Sequence, residues 1–340
     1  MQTLEKTNIQ LGYIPLLDCT AILWAQHQGY FTAQGLNVTL VKEPSWASLR
    51  DRLAFGLLDV AHCLSAMLPA AATGNDQLGI PLQSTLVLST NRAFISLSQK
   101  LCYDLDISAQ DTPQQSASKI VDSIKQGHQI KLAHVFKQSI HHYCLREWLA
   151  LADLDTAKTH QLLTLPPPYM VDAISTQLID GFCVGEPWNI QAQIQGHGLV
   201  IAESKQIIPE VADKVLATTQ EWAQTHPHTL HALEVAIQQA QQDLRSLESL
   251  QQVWQMLEHS EIIRFNCSDL IHTQAFYKIQ NIIRSFGMQD APKAEDFEWI
   301  LQQMCAWENL KLDQSQIKAI AVQCVGKESN TSSKNIIRVC

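Results

Sequence analysis

The sequence predicts an α/β protein with two lobes and a helical C-terminal extension. Short apolar strands alternate with helical stretches through the first 200 residues or so, and long helical periodicity replaces that alternation from about Pro209. The chain has 340 residues, of which 46% are hydrophobic and 17% are charged. That length and composition are enough for two lobes of ordinary size with a substantial core.

The first third of the chain reads as a βαβα segment. The peptides IQLGYI, LNVTLV and DVAHC are apolar enough to form strands. Helices are predicted from Asp18 to Gly29, from Ser45 to Phe55 and from Ala66 to Thr73, and glycines end the first and the third. This order of elements indicates a mostly parallel sheet covered by helices.

The middle of the chain repeats this rhythm. Strands are predicted at KLAHVF, HQLLTL and GFCVG, with a helix from Ile140 to Ala152 and another after the prolines of LPPPYM. From Pro209 onward, EVADKVLATTQEWAQ and the segments after it are read as helices, which places Lys214 on a helix. We therefore assign residues 1–98 and 212–325 to the first lobe, 99–211 to the second lobe and 326–340 to a polar tail.

Charge and cysteine content exclude several classes of function. The formal net charge is −9 and no long run of Lys or Arg is present, so direct binding of nucleic acid is not expected. Nine scattered cysteines without a CxxC pair do not fit a disulfide framework or a zinc knuckle, and they suit a reducing compartment. No P-loop, nucleophile elbow, GxGxxG or HExxH is present, so we expect neither an enzyme nor a cofactor.

Two further features bear on location and on metals. The first residues lack the pattern of a secretory signal, and the longest apolar stretch is interrupted by Asp59, His62 and Pro69, so a cytoplasmic protein without a membrane span is expected. His141 and His142 are adjacent on a predicted helix and point about 100° apart, so they do not grip one ion. No metal site is predicted.

Three long segments resemble the solute-binding proteins for nitrate, nitrite and bicarbonate, the NrtA/CmpA group. They are KEPSWASLRDRLAFGLLDVAHCLSAMLPAAATG, SIHHYCLREWLALADLD and LPPPYMVDAISTQLIDGFCVGEPWN. The resemblance extends over roughly residues 8 to 220, well over half of the chain. It implies a two-lobed, type II periplasmic-binding-protein fold that closes on its ligand.

The resemblance also implies a set of anion ligands in this chain, namely Trp46, Gln99, His141, Gly185 and Lys214. Trp46 would supply an indole N–H, Gln99 an amide, His141 an imidazole, Gly185 a backbone N–H next to a helix start, and Lys214 a positive charge. Together they form a shell of donors only, as a planar, weakly basic anion requires. A protonated His141 would donate from both nitrogens, which is the basis of a hypothesis that binding depends on pH.

Each of these five residues also has an ordinary structural explanation. Trp46 can also be a core aromatic at a helix start, Gln99 a solvated strand end, and His141 a partly buried histidine behind its helix cap Ser139. Gly185 can be a simple turn and Lys214 a solvated residue of an amphipathic helix. The bicarbonate binders of the group carry an acidic residue with calcium near the position of Lys214, so the lysine favours nitrate or nitrite without a metal.

Three functions remain open at this stage. A member of the group without an export signal resembles the cytoplasmic nitrate/nitrite sensors of the NasS kind. Those sensors hold an ANTAR-type RNA-binding antiterminator (NasT-like) inactive until the anion arrives. The alternatives are the substrate-binding component of a nitrate/nitrite or bicarbonate ABC transporter, and an enzyme of thiamine-pyrimidine synthesis, whose lysine and histidine- and cysteine-rich motif are not found in this sequence.

Overall fold

The computed structural model describes residues 3–289 and 291–326. The strands are β1 (Asn8–Tyr13), β2 (Asn37–Lys42), β3 (Val60–Leu64), β4 (Leu82–Thr90), β5 (Phe94–Ser98), β6 (Leu132–His134), β7 (Leu162–Thr164), β8 (Gly181–Val184), β9 (Gly198–Glu203) and β10 (Ala212–Thr219). The helices before β10 are α1 (Thr20–His27), α2 (Tyr30–Ala33), α3 (Trp46–Ala54), α4 (Met67–Ala72), α5 (Gln99–Asp104), α6 (Pro113–Lys125), α7 (Ile140–Ala150), α8 (Leu154–Thr159), α9 (Met170–Ser175) and α10 (Trp188–Ile194). Those after it are α11 (Gln220–Thr225), α12 (Pro227–Ser246), α13 (Gln251–His259), α14 (Thr273–Ile283), α15 (Ala294–Trp307) and α16 (Gln314–Cys324).

The strands form two five-stranded sheets with the same layout. The first sheet has the order β2-β1-β3-β10-β4 and the second has the order β7-β6-β8-β5-β9. Each sheet contains one strand that pairs antiparallel with both of its neighbours: β10 in the first sheet and β5 in the second. Each of these strands directly follows a crossing of the chain from the other lobe. The chain therefore crosses between the lobes twice, after β4 and before β10, and the predicted two-lobed α/β architecture is confirmed.

The first lobe ends before β5, earlier than the predicted boundary at residue 98. The predicted boundary at residue 98 assigns β5 to the first lobe, whereas β5 pairs with β8 and β9 of the second sheet. Strands β4 and β9 were not among the strands predicted from the sequence. Except for Gly326, whose N–H donates to the carbonyl oxygen of Ser84 at 2.8 Å, the predicted tail lies outside the described residues.

The prediction of a helix at EVADKVLATT is wrong, because these residues form the strand β10 in the interior of the first sheet. All residues from Ala212 to Thr218 are buried, so the segment has no polar face from which a period of two could be read. A fully buried strand of this kind cannot be separated from a buried helix by periodicity alone. Lys214 therefore lies on a central strand and not on a solvated helix.

The C-terminal helices pack on both lobes. Helix α12 lies against α1 and α2 of the first lobe, while α15 contacts both α4 of the first lobe and α7 of the second. The predicted helical extension is thus confirmed from α11 onward. It does not form a separate body, because its helices bury apolar residues in the same two cores that hold the sheets.

Glu308, directly after α15, joins the two lobes. Its side chain is 0% exposed. Its carboxylate accepts hydrogen bonds from Asn75 Nδ2 at 2.8 Å in the first lobe, and from Gln138 Nε2 at 2.9 Å and the Tyr143 hydroxyl at 2.7 Å in the second lobe. A second bridge lies on α14, where Lys278 Nζ is 2.7 Å from the Glu186 carboxylate of the second lobe.

We expect Glu308→Ala to lower the free energy of unfolding by about 2–4 kcal/mol, because it leaves three partly buried donors without their acceptor. The measurement is the urea unfolding curve of each protein at neutral pH. Glu295→Ala, on an exposed position of the same helix, is the matched control and should change stability by less than about 0.5 kcal/mol. Equal losses in the two variants would contradict the role of Glu308.

Candidate functional site

The central feature of the cleft is the fully buried ammonium group of Lys214. The Lys214 side chain is 0% exposed, and its Nζ lies 2.7 Å from Asp213 Oδ1 and 3.9 Å from Asp18 Oδ2. Pairing of β10 with β3 and β4 fixes its position opposite Leu64 and Ser89. Moving an ammonium out of water costs several kcal/mol unless partners of opposite charge offset the loss, and the two carboxylates serve this purpose.

The two carboxylates differ in their surroundings. Asp213 Oδ2 accepts a hydrogen bond from the backbone N–H of Arg92 at 3.1 Å. Burial alone would raise the pKa of Asp213, but Lys214 and His141 hold it below its usual value. Burial raises the pKa of Asp18, and the negative charge of Asp213 acts in the same direction. Asp213 is therefore the ionised partner of Lys214.

Several buried polar atoms around Lys214 have no hydrogen-bond partner among the described residues. They are Trp46 Nε1, His62 Nε2, Asp18 Oδ1, both ring nitrogens of His141, and Lys214 Nζ and Asp213 Oδ1, whose 2.7 Å contact is an ion pair without hydrogen-bond geometry. Trp46 and His62 face one another, with ring centroids 5.6 Å apart. Because nearly all buried polar atoms in native proteins are hydrogen-bonded, such a concentration in one place indicates a site for a small polar ligand.

Local sequence explains how the two aromatic donors are held. Trp46 is the first residue of α3, whose N-cap Ser45 accepts a hydrogen bond from the N–H of Ser48. His141 is the second residue of α7, and the predicted cap Ser139 accepts from the N–H of His142 at 3.1 Å. Both side chains therefore project from the first turn of a capped helix.

The neighbour of His141 has a structural role. His142 Nε2 accepts a hydrogen bond from Arg146 Nε at 3.1 Å, and its Nδ1 lies 2.7 Å from the carbonyl oxygen of Lys137. These two contacts use both nitrogens of the ring. His141 alone of the adjacent pair retains free nitrogens for a ligand within the described structure.

The structure does not favour the hypothesis that His141 makes binding pH-dependent near neutrality. Burial, together with the positive charge of Lys214, lowers the pKa of His141 to about 3. The ring is then neutral at both pH 6 and pH 8, with one donor and one acceptor nitrogen. His62 is in the same state, because burial and Lys214 lower its pKa to about 3 as well.

Gly185 follows β8 and lies against the first lobe. A Cβ atom at this position would come within 3.2 Å of Asp18 Oδ2, so the absence of a side chain allows the close approach. Next to it, the backbone N–H of Leu17 donates to the carbonyl oxygen of Glu186 at 2.8 Å across the lobes. The expected donors of the following helix are in part used internally, because the Glu186 carboxylate accepts from the N–H of Ile190 at 3.0 Å.

Gln99 lies apart from the other four predicted ligands. It is exposed and begins α5, beyond the end of β5 at which Leu97 pairs with Gly181. Gly185 lies beyond the opposite end, where Phe94 pairs with Val184. The structure thus brings together Trp46, His141, Gly185 and Lys214 around one cleft but not Gln99, and its part in ligand binding stays a prediction.

Three buried polar residues of the site were not predicted from the sequence: Asp18, His62 and Asp213. The expected shell of donors only is therefore incomplete, because two carboxylates lie beside the ammonium. A histidine inside the apolar strand DVAHC was the available signal for His62, and the acidic residue adjacent to Lys214 was the signal for Asp213. Asp18 gives no comparable local signal, since its position next to Lys214 results from the fold.

Two features are absent from the described part of the chain. No cluster of three or more His, Cys, Asp or Glu side chains suited to a metal ion is found within residues 3–289 and 291–326. In the same part of the chain, no helix has both the length and the apolar character needed to cross a bilayer. A closed polar cleft between two lobes of the same layout defines the protein as a two-lobed solute-binding protein.

Comparison with known proteins agrees with this class and gives the family. A model of the NMT1-like family matches residues 2–258, so the chain belongs to the NMT1-like family. The crystal structure of the periplasmic nitrate-binding protein NrtA from Synechocystis superposes with a TM-score of 0.78 at 23% identity, covering 95% of this chain and 87% of that one. The predicted periplasmic-binding-protein fold is confirmed by this similarity.

Two relatives show how the chain aligns with longer proteins. The bicarbonate transport ATP-binding protein CmpC of Synechocystis is 32% identical over 335 residues, which is 94% of this chain and 49% of that protein. The nitrate/nitrite binding protein NrtA of Synechococcus elongatus is 33% identical over 261 residues, covering 73% and 58%. The chain thus spans about half the length of CmpC. These relatives are binding and transport proteins, in agreement with the prediction that the chain is not an enzyme.

The buried neutral histidines predict how stability responds to acid. Because the pKa of His141 is lower in the folded state than in the unfolded chain, its contribution is fully present above about pH 6.5 and is lost as the pH falls toward 3. Between pH 5.5 and 4, His141→Gln should reduce the pH dependence of the free energy of unfolding by about 1.4 kcal/mol per pH unit. Urea unfolding at several pH values measures this slope. The exposed His259 provides the control, and a slope unchanged in His141→Gln would contradict the buried neutral ring.

Proposed function

We propose that the chain is a receptor for a small monovalent oxyanion, nitrate or nitrite, which it binds between its lobes without a metal. The observation that carries the proposal is the buried Lys214 ammonium next to the unpartnered N–H groups of Trp46 and His141. Charge-assisted hydrogen bonds in a dry cleft are the strong ones, and an oxyanion offers acceptors to each of these donors. The naming of relatives as nitrate/nitrite and bicarbonate binding proteins supports the same ligand class.

We further propose that this receptor is a cytoplasmic sensor. In this proposal the anion-free protein binds and inhibits an ANTAR-type RNA-binding antiterminator (NasT-like), and nitrate or nitrite releases it. The eight described cysteines are unpaired, and all but Cys305 are buried, which supports a reducing compartment. The acidic net charge of −9 suits a protein that binds the antiterminator rather than its RNA.

Regulation by the anion requires that the ligand favours one lobe arrangement over another. Leu17 and Glu186 meet across the lobes beside the site, and Glu308 and Lys278 bridge the lobes elsewhere. An anion that binds groups of both lobes stabilises this closed arrangement by the difference between its affinities for the two states. The partner would be released if it binds only the open arrangement.

The second candidate is the substrate-binding unit of an anion transporter. The specific observation in its favour is that 94% of this chain aligns with 49% of CmpC, a protein whose name assigns it to bicarbonate transport. The same closed site serves either role. The neighbouring genes and the partner protein distinguish them, because a transport unit requires membrane and ATP-binding subunits and a sensor requires an antiterminator.

The anion proposal is tested by calorimetry of ligand-stripped protein with nitrate, nitrite, bicarbonate and chloride. Lys214→Met should lower the affinity for nitrate or nitrite by about 10- to 100-fold, because it removes a charge-assisted hydrogen bond worth about 1.5–3 kcal/mol. Trp46→Phe keeps the ring but removes the N–H and should cost about 5- to 10-fold. Lys205→Met, at an exposed lysine, is the matched control.

Binding of bicarbonate in preference to nitrate and nitrite would contradict the assigned anion. Equal affinity of Lys214→Met and the unchanged protein would contradict the site. Gln99→Ala is measured in the same series. The structure places Gln99 outside the cleft, so a loss of affinity in this variant would show that Gln99 reaches the ligand in solution.

The sensor proposal is tested with an ANTAR-domain antiterminator from the same genome. Size-exclusion chromatography should show a complex in anion-free buffer, and nitrate or nitrite should weaken it by about 5- to 150-fold, the usual range of coupling between two sites. Lys214→Met should keep the partner bound when the anion is added. A complex that ignores the anion, or no complex in either buffer, would contradict the sensor and favour the transport unit.

A further inference from the structure

The number of buried charges in the cleft does not suit an anion unless one carboxylate is neutral. Asp18, Asp213 and Lys214 are 2%, 0% and 0% exposed, so solvent screens none of the three. His62 and His141 add no charge near neutral pH, because burial lowers the pKa of each to about 3. If both carboxylates are ionised, two negative groups flank one ammonium, and a bound anion would be a third negative group in a medium of low dielectric constant.

The contacts show which of the two carboxylates is the neutral one. Asp213 has the ammonium at 2.7 Å and receives the N–H of Arg92 at 3.1 Å, and both contacts favour its ionised form. Asp18 Oδ2 is 3.9 Å from the same ammonium, and Oδ1 of both carboxylates lacks a hydrogen-bond partner among the described residues, so the distance to Lys214 and the N–H of Arg92 separate the two groups. The carboxylate that lies farther from the ammonium is the more costly one to bury in its ionised form.

The other groups that face Asp18 do not reverse this assignment. Burial and Asp213 raise the pKa of Asp18, while Lys214, the Ser89 hydroxyl and Arg92 lower it without cancelling that rise. The Nη2 atom of Arg92 bonds to the Ser285 hydroxyl, directly after α14. The positive charge of Arg92 lowers the pKa of Asp18 by less than burial and Asp213 raise it.

We propose that Asp18 is a further residue of the anion site, where its neutral carboxyl group donates a hydrogen bond to the bound oxyanion while ionised Asp213 holds Lys214. This inference rests on the proposed anion receptor and adds a residue that determines the charge of the site. Gly185 is next to it, since a Cβ there would come within 3.2 Å of Asp18 Oδ2. The site then contains the ion pair of Lys214 and Asp213, the neutral O–H of Asp18 and the N–H groups. Its buried charges sum to zero before the anion binds, so the bound anion is the one added negative charge.

The test compares the same substitution at the two carboxylates. Asp18→Leu removes the donor and should lower the affinity for nitrate or nitrite at pH 7 by about tenfold, and Asp18→Asn, which keeps a neutral donor of the same size, should recover most of that loss. Asp213→Asn removes the ionised partner of Lys214 and should lower affinity at least tenfold. Calorimetry measures all three variants, with circular dichroism as the check of folding.

Infrared difference spectra of the unchanged protein report whether an aspartate is protonated, and they need no substitution that could disturb folding. With ¹³C-labelled aspartate, the anion complex should show the C=O stretch of a protonated aspartic acid. Its absence overturns the proposal, and so does a loss of affinity of more than tenfold in Asp18→Asn. If Asp18→Asn folds, its anion complex should lack this band. A band that persists in Asp18→Asn and is lost in Asp213→Asn would assign the proton to Asp213.

Failure of this inference is distinguishable from failure of the receptor itself. If the unchanged protein binds no nitrate or nitrite, the proposed function is overturned before Asp18 is tested. If it binds the anion with both aspartates ionised, only the role of Asp18 is overturned.

Discussion

The burial of the Lys214 ammonium is the constraint on which the rest of the site depends. A fully buried positive charge on a central strand is stable only with a carboxylate at contact distance, which Asp213 supplies from the neighbouring position of the same strand. Adjacent residues of a flat strand point to opposite faces, and β10 departs from regular pairing by a register shift against β4 between Ala212 and Lys214. The irregular part of the strand is the part that carries the charge pair.

This constraint extends to the arrangement of the lobes. Lys214 belongs to the first sheet, and the groups that face it from the second lobe are His141 and Gly185, at the start of α7 and the end of β8. Parallel strands of open α/β sheets present their carboxyl ends to ligands, and here the two sheets direct those ends toward each other. The candidate site lies where the lobes meet, so its occupancy and the closure of the lobes are linked equilibria.

The sequence predicted the parts of the site that local motifs encode. Trp46 and His141 each follow a serine cap at a helix start, and Gly185 ends an apolar strand, so their positions follow from neighbours in the chain. Lys214 was placed in the site by resemblance but on the wrong element, because a strand buried on both faces carries no periodicity of its own. Asp18 lies almost 200 residues from Lys214 in the chain, and no pattern in the sequence shows that they are neighbours in space.

The ligand that the site accepts and the role of the whole protein depend on different parts of the structure. Charges, donors and burial decide which ligand the cleft accepts, and a sensor and a transport unit place the same demand on them. The two roles differ in the surface that changes when the lobes close. The C-terminal helices belong to that surface because they contact both lobes. Glu308 fastens the loop at Asn75 to the start of α7, the helix that carries His141. The buried Glu308 carboxylate thus joins the helix that carries His141 to the C-terminal helices, and Lys278 on α14 makes a second contact between those helices and the second lobe.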